Sequence, residues 1–97
     1  MAVYVIVDLE VKDPAAFASY KTAVPPIVGK HGGEYLARGG ATEVIEGEWR
    51  PGRLVVFRFP DRRAVHAFFD DPEYRPLKKM RQRASSADIV MVDGYEN

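Results

Sequence analysis

Two stretches of this chain alternate with period 2 yet carry large apolar side chains on both parities, a pairing that constrains the fold more than any other feature. In residues 2–11, Val3, Val5, Val7, Leu9 and Val11 share one parity, while Tyr4 and Ile6 precede Asp8 and Glu10 on the other. In residues 53–59, Val55, Phe57 and Phe59 share one parity and Leu54, Val56 and Arg58 the other. Period 2 assigns strands. Apolar residues on both faces need cover on both sides, so these two strands belong in the middle of a sheet.

The punctuation between them is helical. Asp13-Pro14 is an N-cap followed by proline at the first helical position, where a missing N–H costs nothing. Phe17, Tyr20, Val24 and Ile27 recur at spacings of three and four, and Pro25-Pro26 predict a break or kink near Val24. Lys30-His31 ahead of Gly32-Gly33 predict the end of this helical unit, with cations at the negative end of its dipole. Glu34–Arg38 and Glu43–Trp49 both look extended, and Gly39-Gly40 between them predicts a bulge or bend in one long strand. Pro60-Asp61 opens a second helix along Val65, Phe68 and Phe69, and Asp71-Pro72 restarts it with Leu77, Met80 and Ala84 inward. Ala87–Asp93 reads as the last strand, ended by Gly94 and followed by a three-residue polar tail expected to fray.

The order strand, helix, strand, strand, helix, strand predicts an α+β fold of ferredoxin-like βαββαβ type, a four-stranded antiparallel sheet formed by one domain over residues 1–97. Right-handed crossovers put both helices on one face. Tyr4, Ile6, Leu54 and Val56, with alternate residues of Ile89–Val92, are then left on the other face. Each is worth about 1.5–3 kcal/mol of burial, so a second copy of the chain is expected to cover them.

Composition removes whole classes of function. Lys plus Arg equals Asp plus Glu at 14 each, so no net field gathers nucleic acid or anionic membrane. There is no cysteine, hence no disulfide, thiolate nucleophile or Cys-type zinc site. Two histidines without a carboxylate at ligand spacing predict no metal site. No P-loop, dinucleotide glycine fingerprint, nucleophile elbow or HExxH is present, and no cofactor is expected. The N-terminus lacks a basic region and meets Asp8 early, so a cytoplasmic location is the expectation. Arg75–Arg83 carries five basic residues and no acid; the end of a helix explains this better than an anionic partner. Asp8 and Glu10 on the sheet face also argue against the RNA-recognition reading of the same topology.

The runs Pro26-Ile27-Val28 and His31 to Gly40, then Glu46-Gly47-Glu48-Trp49, Val55 to Pro60, Glu73-Tyr74 and the late Gly94, together resemble the Domain of Unknown Function 1330 family over nearly the whole chain. Arg58 and Asp61-Arg62 depart from the acidic residue and serine more usual around the Phe-Pro step. The resemblance implies a dimeric α+β barrel in which two ferredoxin-like sheets pack face to face. It also implies kinship of fold with cofactor-independent monooxygenases, muconolactone isomerase and EthD-like proteins, and no established reaction.

Several polar residues are candidates for chemistry. Asp8 and Arg58 share the barrel-facing parity, where they form either a cross-strand ion pair or part of an anion clamp. Arg38 is the better clamp candidate, a fork of donors suited to carboxylate or enolate oxygens. His31 is either a helix C-cap or a general base, and His66 a surface residue. Tyr4, Tyr20, Trp49 and Tyr74 offer aromatic bulk with a polar end, Tyr20 being equally explained by core packing and Trp49 by the dimer seam or the pocket mouth. The expected protein is a homodimer with a small, mostly apolar cavity in each subunit. That cavity binds or converts a small carbonyl, phenolic or lactone-like molecule, with His31 and Arg38 as catalytic candidates; the alternative is a ligand-binding or structural dimer with no reaction.

Overall fold

The computed structural model describes residues 1–95; Glu96 and Asn97, where the polar tail was expected to fray, lie outside the described residues. The elements run β1 (Val3–Val11), α1 (Pro14–Ala23), α2 (Pro25–Lys30), β2 (Glu34–Arg38), β3 (Arg53–Phe59), α3 (Arg62–Phe69), α4 (Arg75–Ala84) and β4 (Ser85–Asp93). The strands form one antiparallel sheet in the order β2-β3-β1-β4. This is the ferredoxin-like arrangement, with the two strands that are apolar on both faces in its centre.

Local chemistry sets the helix starts. Asp13 accepts the Ala16 N–H at 3.2 Å, and Asp61 that of Ala64 at 2.8 Å, each satisfying a donor at a helix N-terminus. Val24 ends α1, and Pro25 begins α2, so the expected kink becomes two short helices. Asp71 accepts the Glu73 N–H at 2.8 Å in the turn that separates α3 from α4.

The core is one sided. Val3, Val5, Val7 and Leu9 of β1 and Val55, Phe57 and Phe59 of β3 are buried against Phe17, Val28, Val65, Phe68 and Tyr74 from the helical layer. The register places Tyr4 opposite Arg58 and Val92, and Ile6 opposite Val56 and Val90, on the other face. Among the described residues no helix covers that face; the 39–52 segment reaches it only at Asp8 and Leu54. Val90 and Val92 are 59% and 48% exposed, and the Cα envelope is only 16 Å thick in its short dimension, two layers rather than three.

Three expectations need correction. Glu43–Trp49 is not a strand: β2 ends at Arg38 and the chain runs irregularly to β3, because Arg38 already opposes Val55 and β3 begins at Arg53, so a continued β2 has no partner strand beside it. The bulge falls at Leu36, not at Gly39-Gly40: Tyr35 opposes Phe57 while Ala37 opposes the next residue, Val56. Asp8 and Arg58 are not paired. Arg58 Nη1 is 3.3 Å from Glu34 Oε1 on the neighbouring strand, while Asp8 opposes Leu54.

Candidate functional site

The Leu36 bulge has a chemical consequence. Without it, Tyr35 and Arg38, three residues apart, would point to opposite faces; the extra residue brings both to the helix side. Arg38 lies with its guanidinium carbon 4.6 Å from the Tyr35 ring centroid and donates to the Lys21 carbonyl in the last turn of α1. Beyond it, Gly39 has φ +73°, and a Cβ there would collide with the Arg53 guanidinium, so glycine is required for the turn and for the placement of Arg53.

These residues border a cavity of about 40 Å³ between the sheet and the helices. Its walls are Val7, Leu9, Val55 and Phe57 from the sheet and Phe17, Phe68 and Phe69 from the helices. Its polar lining is Tyr20, Lys21, Tyr35, Arg38, Arg53, Tyr74 and Arg81, without a carboxylate. The exposed lining residues are Lys21, Arg38 and Ile89, which marks the way in from solvent.

Inside, the hydrogen bonding is incomplete. Tyr20 Oη and Tyr74 Oη are 3.0 Å apart, and Arg81 Nε is 3.4 Å from Tyr74 Oη. Tyr35 Oη and Arg53 Nε are buried and have no partner among the described residues. Burial pushes both the Tyr20 and Tyr35 hydroxyls up, for Tyr20 reinforced by the neighbouring Tyr74, so both are neutral donors rather than phenolates.

Of the residues singled out in the sequence, Tyr20, Arg38 and Tyr74 meet at this cavity; Tyr4, Asp8, His31, Trp49 and Arg58 do not line it. His31 caps α2, and its Nε2 is 2.7 Å from Asp71 Oδ2, with Lys30 Nζ 2.9 Å from the same oxygen. Hydrogen bonds from His31 first, then Lys30 and the Glu73 amide, hold the Asp71 carboxyl well below the usual carboxylate range. Asp8 accepts from Trp49 Nε1 and the Gly52 amide, both at 2.9 Å, pinning the base of the 39–52 segment to β1. A Cβ at Gly52 would strike the Leu9 carbonyl, so that close approach needs glycine. Trp49 itself is 61% exposed.

Sequence reasoning passed over Tyr35, Arg53 and Arg81. The signal was available in two cases: Arg53 shares parity with Val55, Phe57 and Phe59, and Arg81 falls between Leu77 and Ala84 on the buried stripe of α4. A cation on an apolar stripe marks a polar pocket or a partner. Among the described residues no group of His, Cys, Asp or Glu could hold a metal, and no helix is long and apolar enough to cross a membrane.

Fold and cavity together define a ferredoxin-like α+β domain with an apolar pocket that tyrosines and cations also line. The chain belongs to the family described as Domain of unknown function (DUF1330), whose model matches residues 2–95. No curated protein matches it. Among solved structures it is similar to a protein of unknown function from Rhodopseudomonas palustris, with TM-score 0.81, 16% identity and coverage of 99% of this chain and 84% of that one. It is similar to a dimeric ferredoxin-like protein of unknown function from Jannaschia sp. CCS1, with TM-score 0.67, 15% identity and coverage of 97% and 100%. SnoaB, a cofactor-independent oxygenase from Streptomyces nogalater, gives TM-score 0.64 at 14% identity, covering 99% of this chain and 95% of that one.

Proposed function

We propose that this chain forms a homodimer through the uncovered sheet face and takes up a small carbonyl, phenolic or lactone-like molecule, without a cofactor, in the cavity between its sheet and helices. One observation carries the reading: Tyr35 Oη and Arg53 Nε are buried and unpartnered among the described residues, and both residues border the same cavity. Buried polar groups are almost always satisfied, so two orphans at one cavity are groups left for a molecule from outside. At about 40 Å³ the cavity holds a few waters, and a ring-sized occupant enters by displacing them and moving the exposed Lys21 and Arg38 side chains at its border. The dimer is supported by the half-exposed apolar face and by similarity to proteins described as dimeric.

In this reading Tyr20 and Arg38 contact the ligand. Arg38 is exposed and its partner is a carbonyl rather than a carboxylate, so Arg38→Ala leaves no buried charge behind. The expected result is an unchanged dimer by light scattering, near-unchanged stability, and loss of the thermal shift that small carbonyl compounds, carboxylates and phenols give the parent protein. A large loss of stability, with no ligand-dependent shift in either protein, overturns the site. Conversion of the ligand is a second reading, favoured by the fold shared with a cofactor-independent oxygenase. The same panel, followed for product, tests it.

A further inference from the structure

We propose that the cavity selects the ionised form of its occupant: the ligand is a small organic oxyanion, a carboxylate, phenolate or enolate, whose oxygens receive hydrogen bonds from Tyr20, Tyr35 and Arg53. This rests on the reading of the cavity as the ligand site and adds the ligand's chemical class.

The argument is a donor census. Arginine has no acceptor, so at 3.4 Å Arg81 Nε donates to Tyr74 Oη. Tyr20 Oη and Tyr74 Oη, 3.0 Å apart, share one hydrogen bond whichever of them donates, and both residues border the cavity. One hydroxyl proton of the pair is therefore left for the cavity, that of Tyr20 when Tyr74 donates to it. Tyr35 Oη and Arg53 Nε add two further donors with no other partner among the described residues. The two hydroxyls can each give a hydrogen bond and Arg53 Nε can only give one, so a ligand group that accepts is the one able to satisfy all three.

Charge points the same way. Lys21 from α1, Arg38 from β2, Arg53 from β3 and Arg81 from α4 border the cavity, and β1 and β4 contribute only apolar residues to it. No lining carboxylate neutralises them, and none of the four has an ion-pair partner among the described residues. Cations at an apolar wall stabilise an anion far more than they do in water. The lining offers no base to make that anion. Burial holds the Tyr20 and Tyr35 hydroxyls protonated and no carboxylate or histidine lines the cavity, so the ligand arrives ionised or loses its proton to solvent on binding.

The test uses the intact protein and para-nitrophenol, whose phenolate absorbs in the visible, with benzoate as the carboxylate probe and para-nitroanisole as the neutral isostere. Occupancy of the cavity is read from the methyl resonances of Val7, Leu9 and Val55, and ionisation from absorbance against pH. The expected result is that the methyl signals move and that bound para-nitrophenol titrates about one pH unit or more below the free compound, a tenfold or greater preference for phenolate. Arg53→Gln should abolish that displacement. Tyr74→Phe, which removes one hydroxyl of the Tyr20–Tyr74 pair while keeping the ring, should reduce it, and in both variants the uncharged para-nitroanisole should lose less binding than the phenolate. If the methyl signals move but the bound phenol titrates at or above its free value, the anion assignment is wrong while the cavity stands. If none of the probes moves the methyl signals, the ligand site itself is wrong and this inference falls with it.

Discussion

Tyr35→Phe removes one oxygen from the head of the cavity, and its effect has an unusual sign. A buried donor left unsatisfied costs about 1–3 kcal/mol, and Tyr35 Oη is such a group in the ligand-free protein. The 40 Å³ cavity admits a water that recovers part of that cost, so the lower end applies, about 1 kcal/mol. The phenylalanine ring keeps the packing on Phe57, whose centroid is 4.7 Å away. The variant should thus be more stable than its parent by about 1 kcal/mol, a rise in Tm of roughly 4–8 °C for a domain of this size, and should bind the ligand more weakly. Tyr20→Phe is the control of opposite sign: it breaks the bond to Tyr74 and should cost about 0.5–1.5 kcal/mol. Calorimetric melts of the three proteins at one concentration decide it. A Tyr35→Phe variant that loses as much stability as Tyr20→Phe means that the hydroxyl is satisfied in the folded protein, and the reasoning fails.

Val56→Asp puts a charge in the middle of the uncovered face, opposite Ile6, and should yield monomer or unfolded chain by light scattering, since an unpaired charge would enter the seam. Gly39→Ala forces a Cβ into a left-handed residue and into the Arg53 guanidinium; about 1–2 kcal/mol should be lost in urea melts, with weaker ligand binding as Arg53 moves. The Asp71 carboxyl is depressed in the fold, so the unfolded chain takes up its proton first as pH falls. Its contribution is complete above the unfolded value near pH 4 and declines below it, and urea melts from pH 7 to 2 should show Asp71→Asn with a shallower acid loss than the parent.

How much of this was legible in advance depended on the range of the interaction. Helix starts are written in adjacent residues, Asp13-Pro14 and Pro60-Asp61, because a cap is made within one turn. The central places of β1 and β3 follow from apolar residues on both parities, and the helix-facing parity from which set is free of charge, Val3 to Leu9 against the parity of Asp8 and Glu10, and Val55 to Phe59 against that of Arg58. The 43–49 segment is irregular because alternation says only that a strand would suit those residues; a strand also needs a partner alongside it, and β3 begins at Arg53, opposite the end of β2. The Asp71 cluster joins residues 40 apart, a distance no local pattern reports.

The sequence by itself determined the element order, the ferredoxin-like sheet and the apolar face that asks for a partner, since each follows from periodicity, capping and the handedness of crossovers. The tertiary structure decided where the chemistry lies. One inserted residue at Leu36 turns Arg38 to the side of Tyr35 and places both on the helix face, away from Asp8 and Arg58. A bulge is a mismatch between two strands and exists only once they are paired, so no reading of β2 alone contains it.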